Sequence, residues 1–155
     1  MGLPTDKNDM IGDGKKQNGS VMVAIGDKQL RKHLSTILNK MGYDVVVASN
    51  GEEALDLFLK RSFDFVFTAL KMSGMDGLTL SLQVKATSLN TPVVLILDEH
   101  LEYFMNRIKA GRVDCVMSKP LGFGEIQKTA QYFVTNRQPL LDFRSSITWA
   151  SESEG

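Results

Sequence analysis

What this sequence lacks narrows its chemistry first. Its 155 residues hold one cysteine, Cys115, so no disulfide can close within the chain and no multi-cysteine metal centre can be built. Cys115 lies in an apolar stretch at residues 113–117, where a buried, inert thiol and a reducing, cytoplasmic setting are expected. Charge of one sign is missing too. Eighteen basic residues cancel eighteen acidic ones, so there is neither a basic footprint for nucleic acid nor an acidic solvating excess. No apolar stretch approaches the ~20 residues of a membrane span. The opening MGLPTDKNDM lacks the positive start and apolar segment of a secretory signal, and Asp6 stands where a myristoylation site wants Ser or Thr.

What is present is an ordinary globular composition, 43% hydrophobic and 23% charged, with a length that suits one domain plus tails. Residues 1–19 are polar and glycine-rich, and are expected to form a disordered leader. Regular patterning then begins. Residues 21–25 (VMVAI) and 93–97 (VVLIL) are apolar at every position, which suits strands covered on both faces by helices. Residues 45–48, 63–70 and 113–117 supply three more candidate strands. Between them the spacing turns helical. Leu30, Leu34, Ile37, Leu38 and Met41 form a one-sided stripe stopped by Gly42. Ala54, Leu55, Phe58 and Leu59 mark a second helix, opened by Asn50 with Glu53 three residues on. Leu78 and Leu82 begin a third, with Asp76 as its N-cap. Leu101, Phe104, Met105 and Ile108 define a fourth, ended by Gly111, and Ile126, Ala130, Phe133 and Val134 a fifth. Five strands alternating with five helices predict a doubly wound α/β domain over residues 20–134 with a parallel sheet. Residues 135–155 form a tail with scattered apolar side chains.

In such a sheet function gathers at the carboxyl ends of the strands. There the motifs become specific: Asn50-Gly51-Glu52-Glu53-Ala54-Leu55, then Phe63-Asp64-Phe65-Val66-Phe67 followed by Met72-Ser73-Gly74-Met75-Asp76-Gly77, then Ser118-Lys119-Pro120. In this order and at these spacings residues 20–134 resemble a response-regulator receiver domain. The resemblance implies a flavodoxin-like, CheY-like fold with sheet order 2-1-3-4-5. It implies two-component (phosphorelay) signalling, in which a phosphoryl group passes to an aspartate after the third strand with the help of Mg²⁺. An acidic pair after the first strand, a hydroxyl after the fourth and a lysine after the fifth complete the family's site.

Carried over residue by residue, the acceptor position falls on Ala69, the acidic pair on Ile25 and Gly26, and the hydroxyl on Leu97. Only Lys119 survives. The family's aromatic switch position holds Val116. Mg²⁺ wants hard oxygen ligands, usually with at least one carboxylate. The expectation is therefore a degenerate pseudo-receiver with no metal and no cofactor, not an enzyme but a phosphorylation-independent module that binds a protein partner. The face of the fourth helix, fifth strand and fifth helix is the expected surface, for a second copy of the chain or another protein, with neither nucleic acid nor membrane involved. Two other readings compete. The cleft near Ile25, Ala69 and Leu97 could sense a small ligand, or a displaced aspartate such as Asp76 could accept phosphate.

Of the remaining polar residues, Asp27 could ligate a metal after a one-residue slip, but it is better placed to cap the first helix. Asp98 suits the cap of the fourth. Either could pair with Lys119, whose long stem could instead carry its charge to water, and Lys119-Pro120 is expected to be cis. His33 and His100 are expected on the surface or in packing roles. The glycines of Gly12-Asp13-Gly14 and Gly122-Phe123-Gly124 are read as loop glycines rather than phosphate cradles.

Overall fold

The computed structural model describes residues 19–97, 105–119 and 121–135. Its elements alternate without exception: β1 (Gly19–Ala24), α1 (Lys28–Lys40), β2 (Tyr43–Ala48), α2 (Gly51–Lys60), β3 (Phe65–Ala69), α3 (Gly77–Thr87), β4 (Val93–Leu97), α4 (Met105–Gly111), β5 (Cys115–Ser118) and α5 (Phe123–Thr135). All neighbouring strands pair in parallel, in the order β2-β1-β3-β4-β5. The fold class and strand order expected from the sequence are those observed.

The strands that are apolar throughout are buried on both faces. On one face Val21, Val23, Phe65, Phe67, Val94 and Ile96 meet Leu34, Ile37 and Leu38 of α1 and Ile126, Ala130 and Phe133 of α5. On the other, Met22, Ala24 and Val66 meet Ala54 and Phe58 of α2 and Leu80 and Val84 of α3. Ile108 of α4 joins Leu78, Leu95, Leu97 and Val116 on that second face. Phe65 anchors the first layer, edge-on to Tyr43 at 5.7 Å and stacked on Phe133 at 6.1 Å.

Caps fall where the sequence put them. Asp27, Asn50 and Asp76 each accept backbone N–H groups of the helix that follows, and Gly42 ends the turn after α1 with φ +93°. Boundaries and faces needed correction. Gly19, assigned to the leader, belongs to β1, because Asp64 accepts the Ser20 N–H at 2.7 Å and fixes the strand's first turn of register. Residues 1–18 and the tail beyond 135 lie outside the described residues, as do residues 98–104 and 120. Ile25, Leu70 and Asp64 fall just beyond their strands yet still bond across, with Ile25 N–H donating to Ala48 at 3.0 Å. Val113 precedes β5. Leu59 and Leu82, part of the apolar spacing that marks α2 and α3, are exposed, and α3 buries Leu80, Ser81, Val84 and Lys85 along with Leu78. The α3 segment is apolar on more than one side, so a two-residue stripe could not define its face.

Candidate functional site

The carboxyl ends of the strands meet on one rim. Register sets Ala24 beside Ala48 and Thr68, Ala69 beside Ile96, and Leu97 beside Ser118. The residues expected at the site are therefore neighbours in the sheet, but among the described residues they pack into different core layers. Ile25 is fully buried in the α1/α5 layer, and Ala69 packs half-buried against the same layer. Leu97 is buried in the opposite layer with Leu70, Leu78, Ile108 and Val116. Gly26 is exposed and contributes only backbone.

Among the described residues, several polar groups at this rim hold helix starts and loops in place. Asp27 Oδ1 accepts the N–H groups of Gln29 at 2.9 Å and Leu30 at 3.2 Å, which makes it the cap of α1. One turn on, Arg31 Nη1 donates to the carbonyls of Ile25 at 2.8 Å and Gly26 at 3.3 Å, so a guanidinium sits against the positions expected to hold carboxylates. Asn50 takes the Glu53 N–H, and Glu53 reaches back to the Ser49 N–H at 2.8 Å, one residue earlier than a standard capping box. Glu52 crosses to the Met75 N–H at 3.0 Å and ties the loop after β3 to α2. Gly77 opens α3 with no room for a side chain, since a Cβ there would run into the Ala69 carbonyl.

Asp76 sits at the end of that loop. Its Oδ1 takes the Thr79 N–H at 2.8 Å, and its Oδ2 meets Arg107 of α4 at 2.6 Å. Burial works against its charge, but Thr79 and the Arg107 guanidinium outweigh it and hold the carboxyl below the usual carboxylate range. Lys119 is exposed, with its N–H on the Leu97 carbonyl at 3.2 Å. Asp98 and His100, and Pro120 with its peptide bond, lie outside the described residues. His33 is exposed on α1. Gly122 precedes α5 with its carbonyl accepting from Ile126, whereas Gly124, read as a loop glycine, lies within the first turn of the helix. Burial, then the charge of Asp114, pushes the Cys115 thiol well up, as an inert core thiol requires. Sequence reasoning missed Arg31, Glu52 and Arg107. Only the charge of Glu52 at a helix start was a signal, and nothing marked its target.

The opposite rim, at the amino ends of the strands, is polar and more deeply buried. Lys85 Nζ lies 2.5 Å from Asp114 Oδ2 and 2.9 Å from the Thr91 carbonyl, and the same Asp114 oxygen takes the Val93 N–H at 2.7 Å. Burial pushes the Asp114 carboxyl above its ordinary range, against the pull of Lys85 and Val93. An open cleft of about 480 Å³ lies at this rim, lined by residues 58–64 and by Thr87, Ser88, Asn90 and Thr91. Its cations are already paired, Arg61 with Asp44 at 3.0 Å and Lys60 with Asp56 at 3.1 Å.

A five-stranded parallel sheet in this order, flanked by five helices and carrying these turn motifs, defines a receiver domain of two-component signalling. The chain belongs to the response regulator receiver domain family, whose model matches residues 21–131. It is 31% identical over 120 residues to the transcriptional regulatory protein ZraR of Escherichia coli O157:H7, covering 77% of this chain and 27% of that protein. It is 27% identical over 114 residues to the sensor histidine kinase RcsC of Escherichia coli K12, covering 72% of this chain and 12% of that protein. The chain thus spans about a quarter or less of these relatives. Among solved structures, the Vibrio cholerae chemotaxis protein CheY4 superposes with a TM-score of 0.69 at 26% identity, over 74% of this chain and 97% of that one. The receiver domain of the Pseudomonas aeruginosa histidine kinase PA1611, solved with magnesium in its active-site cleft, shares the fold at a TM-score of 0.72 and 14% identity, over 76% of this chain and 98% of that one. Among the described residues no helix is long and apolar enough to cross a membrane.

Proposed function

We propose that this receiver domain signals without being phosphorylated, as a module that binds a protein partner. The observation that carries the reading is the trio Ile25, Gly26 and Ala69. At the positions that the family resemblance gives to the acidic pair and the phosphoryl acceptor, no side chain offers an oxygen. Mg²⁺ demands oxygen ligands in near-octahedral array, and the residues present do not fit it. Asp27 is spent on capping, and the nearby Arg31 brings a positive charge rather than a ligand. A displaced acceptor at Asp76 is disfavoured in the same way, since both its oxygens are engaged.

A small-ligand sensor finds less support, because Ile25 and Leu97 are packed into opposite core layers instead of lining a shared space. On the favoured reading the domain is not an enzyme, works in the cytoplasm and uses the face of α4, β5 and α5, for another protein or for a second copy of itself. The test is intact-mass analysis after incubation with acetyl phosphate and Mg²⁺. No phosphoryl adduct is expected on the wild type. None is expected on Ala69→Asp either, since the metal ligands remain missing. An adduct mapped to Asp27 or Asp76, or to residue 69 of the variant, would overturn the reading.

A further inference from the structure

We propose that α4 is held in one position by an Asp76–Arg107 strut standing over a dry aliphatic plug, so that the face it offers a partner does not switch. The inference rests on the phosphorylation-independent reading above and adds what stands in place of the switch.

Three contacts within five residues fix the helix. Arg107 reaches Asp76 Oδ2 at 2.6 Å, while Thr79 holds the other oxygen of the same carboxylate at 2.8 Å. The anion is therefore aimed, not merely nearby. The next residue, Ile108, is 1% exposed and inserts among Leu70, Leu78, Leu95, Leu97 and Val116. At Gly111 a Cβ would come within 2.6 Å of Leu78 Cδ2, so the end of α4 rests directly on α3. The base of the strut is anchored in turn. Met75, beside Asp76, gives its N–H to Glu52 of α2.

The plug explains why the arrangement has one state. Leu97 and Val116 occupy the positions that the resemblance assigns to a hydroxyl and a switching aromatic, and both are buried in this cluster. Neither side chain has a hydrogen-bonding group, and neither carries a ring that could swing between an inner and an outer site. Close packing of branched aliphatics favours a single arrangement. The only polar link between α3 and α4 in this column is the strut itself, among the described residues.

The test compares wild type, Asp76→Asn, Arg107→Gln and the double variant by amide hydrogen exchange across residues 105–111. Asparagine keeps the cap on Thr79 and removes only the charge. Exchange in α4 should quicken about two- to fivefold in each single variant, and the double should be no faster than either, because each change removes the same pair. A second arm places a hydroxyl in the plug with Leu97→Thr. Microsecond-to-millisecond relaxation dispersion should then appear at residues 105–111, where the wild type shows none. Unchanged exchange in both single variants, additive effects in the double, or dispersion in wild-type α4 would each overturn the proposal. Phosphorylation of the wild type by acetyl phosphate would instead overturn the functional reading and leave the strut measurements standing.

Discussion

The two rims of this sheet have divided polarity in opposite ways. At the amino ends a lysine and an aspartate are buried together, with side-chain exposures of 5% and 8%, and their partners include backbone groups of β4 and the loop before it. At the carboxyl ends the positions that the resemblance gives to carboxylates and a hydroxyl hold Ile25, Gly26, Ala69 and Leu97, while Asp27 caps a helix and Asp76 pairs with Arg107 across a loop. The first rim shows what the fold needs, because chain returning from α3 must satisfy the backbone at the start of β4 and β5. The second rim shows what the fold does without. With Ile25, Gly26 and Ala69 at the ends of β1 and β3 the chain still forms a complete βα repeat, five parallel strands and two packed core layers.

The sharpest way to break this comparison is to remove charge from the rim that is said to need it. Asp114→Ala leaves the Lys85 ammonium buried with only carbonyl partners and orphans the Val93 N–H. Breaking a buried pair in this way should cost about 3–5 kcal/mol in urea unfolding. Replacing both partners, as Lys85→Met with Asp114→Leu, should cost far less, since apolar packing often equals a buried pair. A cost below about 1 kcal/mol for Asp114→Ala would mean that the amino rim is no more polar by necessity than the carboxyl rim.

What the sequence made legible follows the same division. Local chemistry could be read: unbroken apolar runs announced strands buried on both faces, and Asp27, Asn50 and Asp76 announced helix starts. The candidate site could be read only through residue identity at motif positions. Long-range pairs were not. Lys85 meets Asp114 across 29 residues and Arg107 meets Asp76 across 31, and no period or spacing links such partners. Exposure of Leu59 and Leu82 was equally hidden, since helical spacing names a stripe but not which neighbour covers it.

A gentler test reads the two rims by acid. Asp76 titrates below its ordinary range, so its charge adds stability that is present above the unfolded value near pH 4 and is lost as pH falls through the folded value. Asp114 titrates above its range, so its contribution runs the other way, greatest below about pH 4 and declining as pH rises through the folded value. The stability gap between wild type and Asp76→Asn should therefore close on acidification, starting from less than about 1 kcal/mol. The gap between wild type and Asp114→Asn should move with the opposite sign over the same range. Urea midpoints measured from pH 3 to pH 7 check both. Slopes of the same sign would erase the contrast between the rims.

The smallest effect is expected at Lys119, where the comparison can be sharpened most. The resemblance gives it the family's lysine position, and it stands at the carboxyl rim just past β5. Where a receiver is phosphorylated, a lysine here answers negative charge on the acceptor; Ala69 offers none. The residue is exposed, so its charge loses little hydration when the chain folds. Substitution at such a surface position should stay within about 0.5 kcal/mol. Lys119→Met should accordingly unfold at nearly the wild-type urea concentration and with an unchanged slope. A loss near that expected for Asp114→Ala would show that the carboxyl rim still depends on a charge, and that the loop after β5 is built around this lysine.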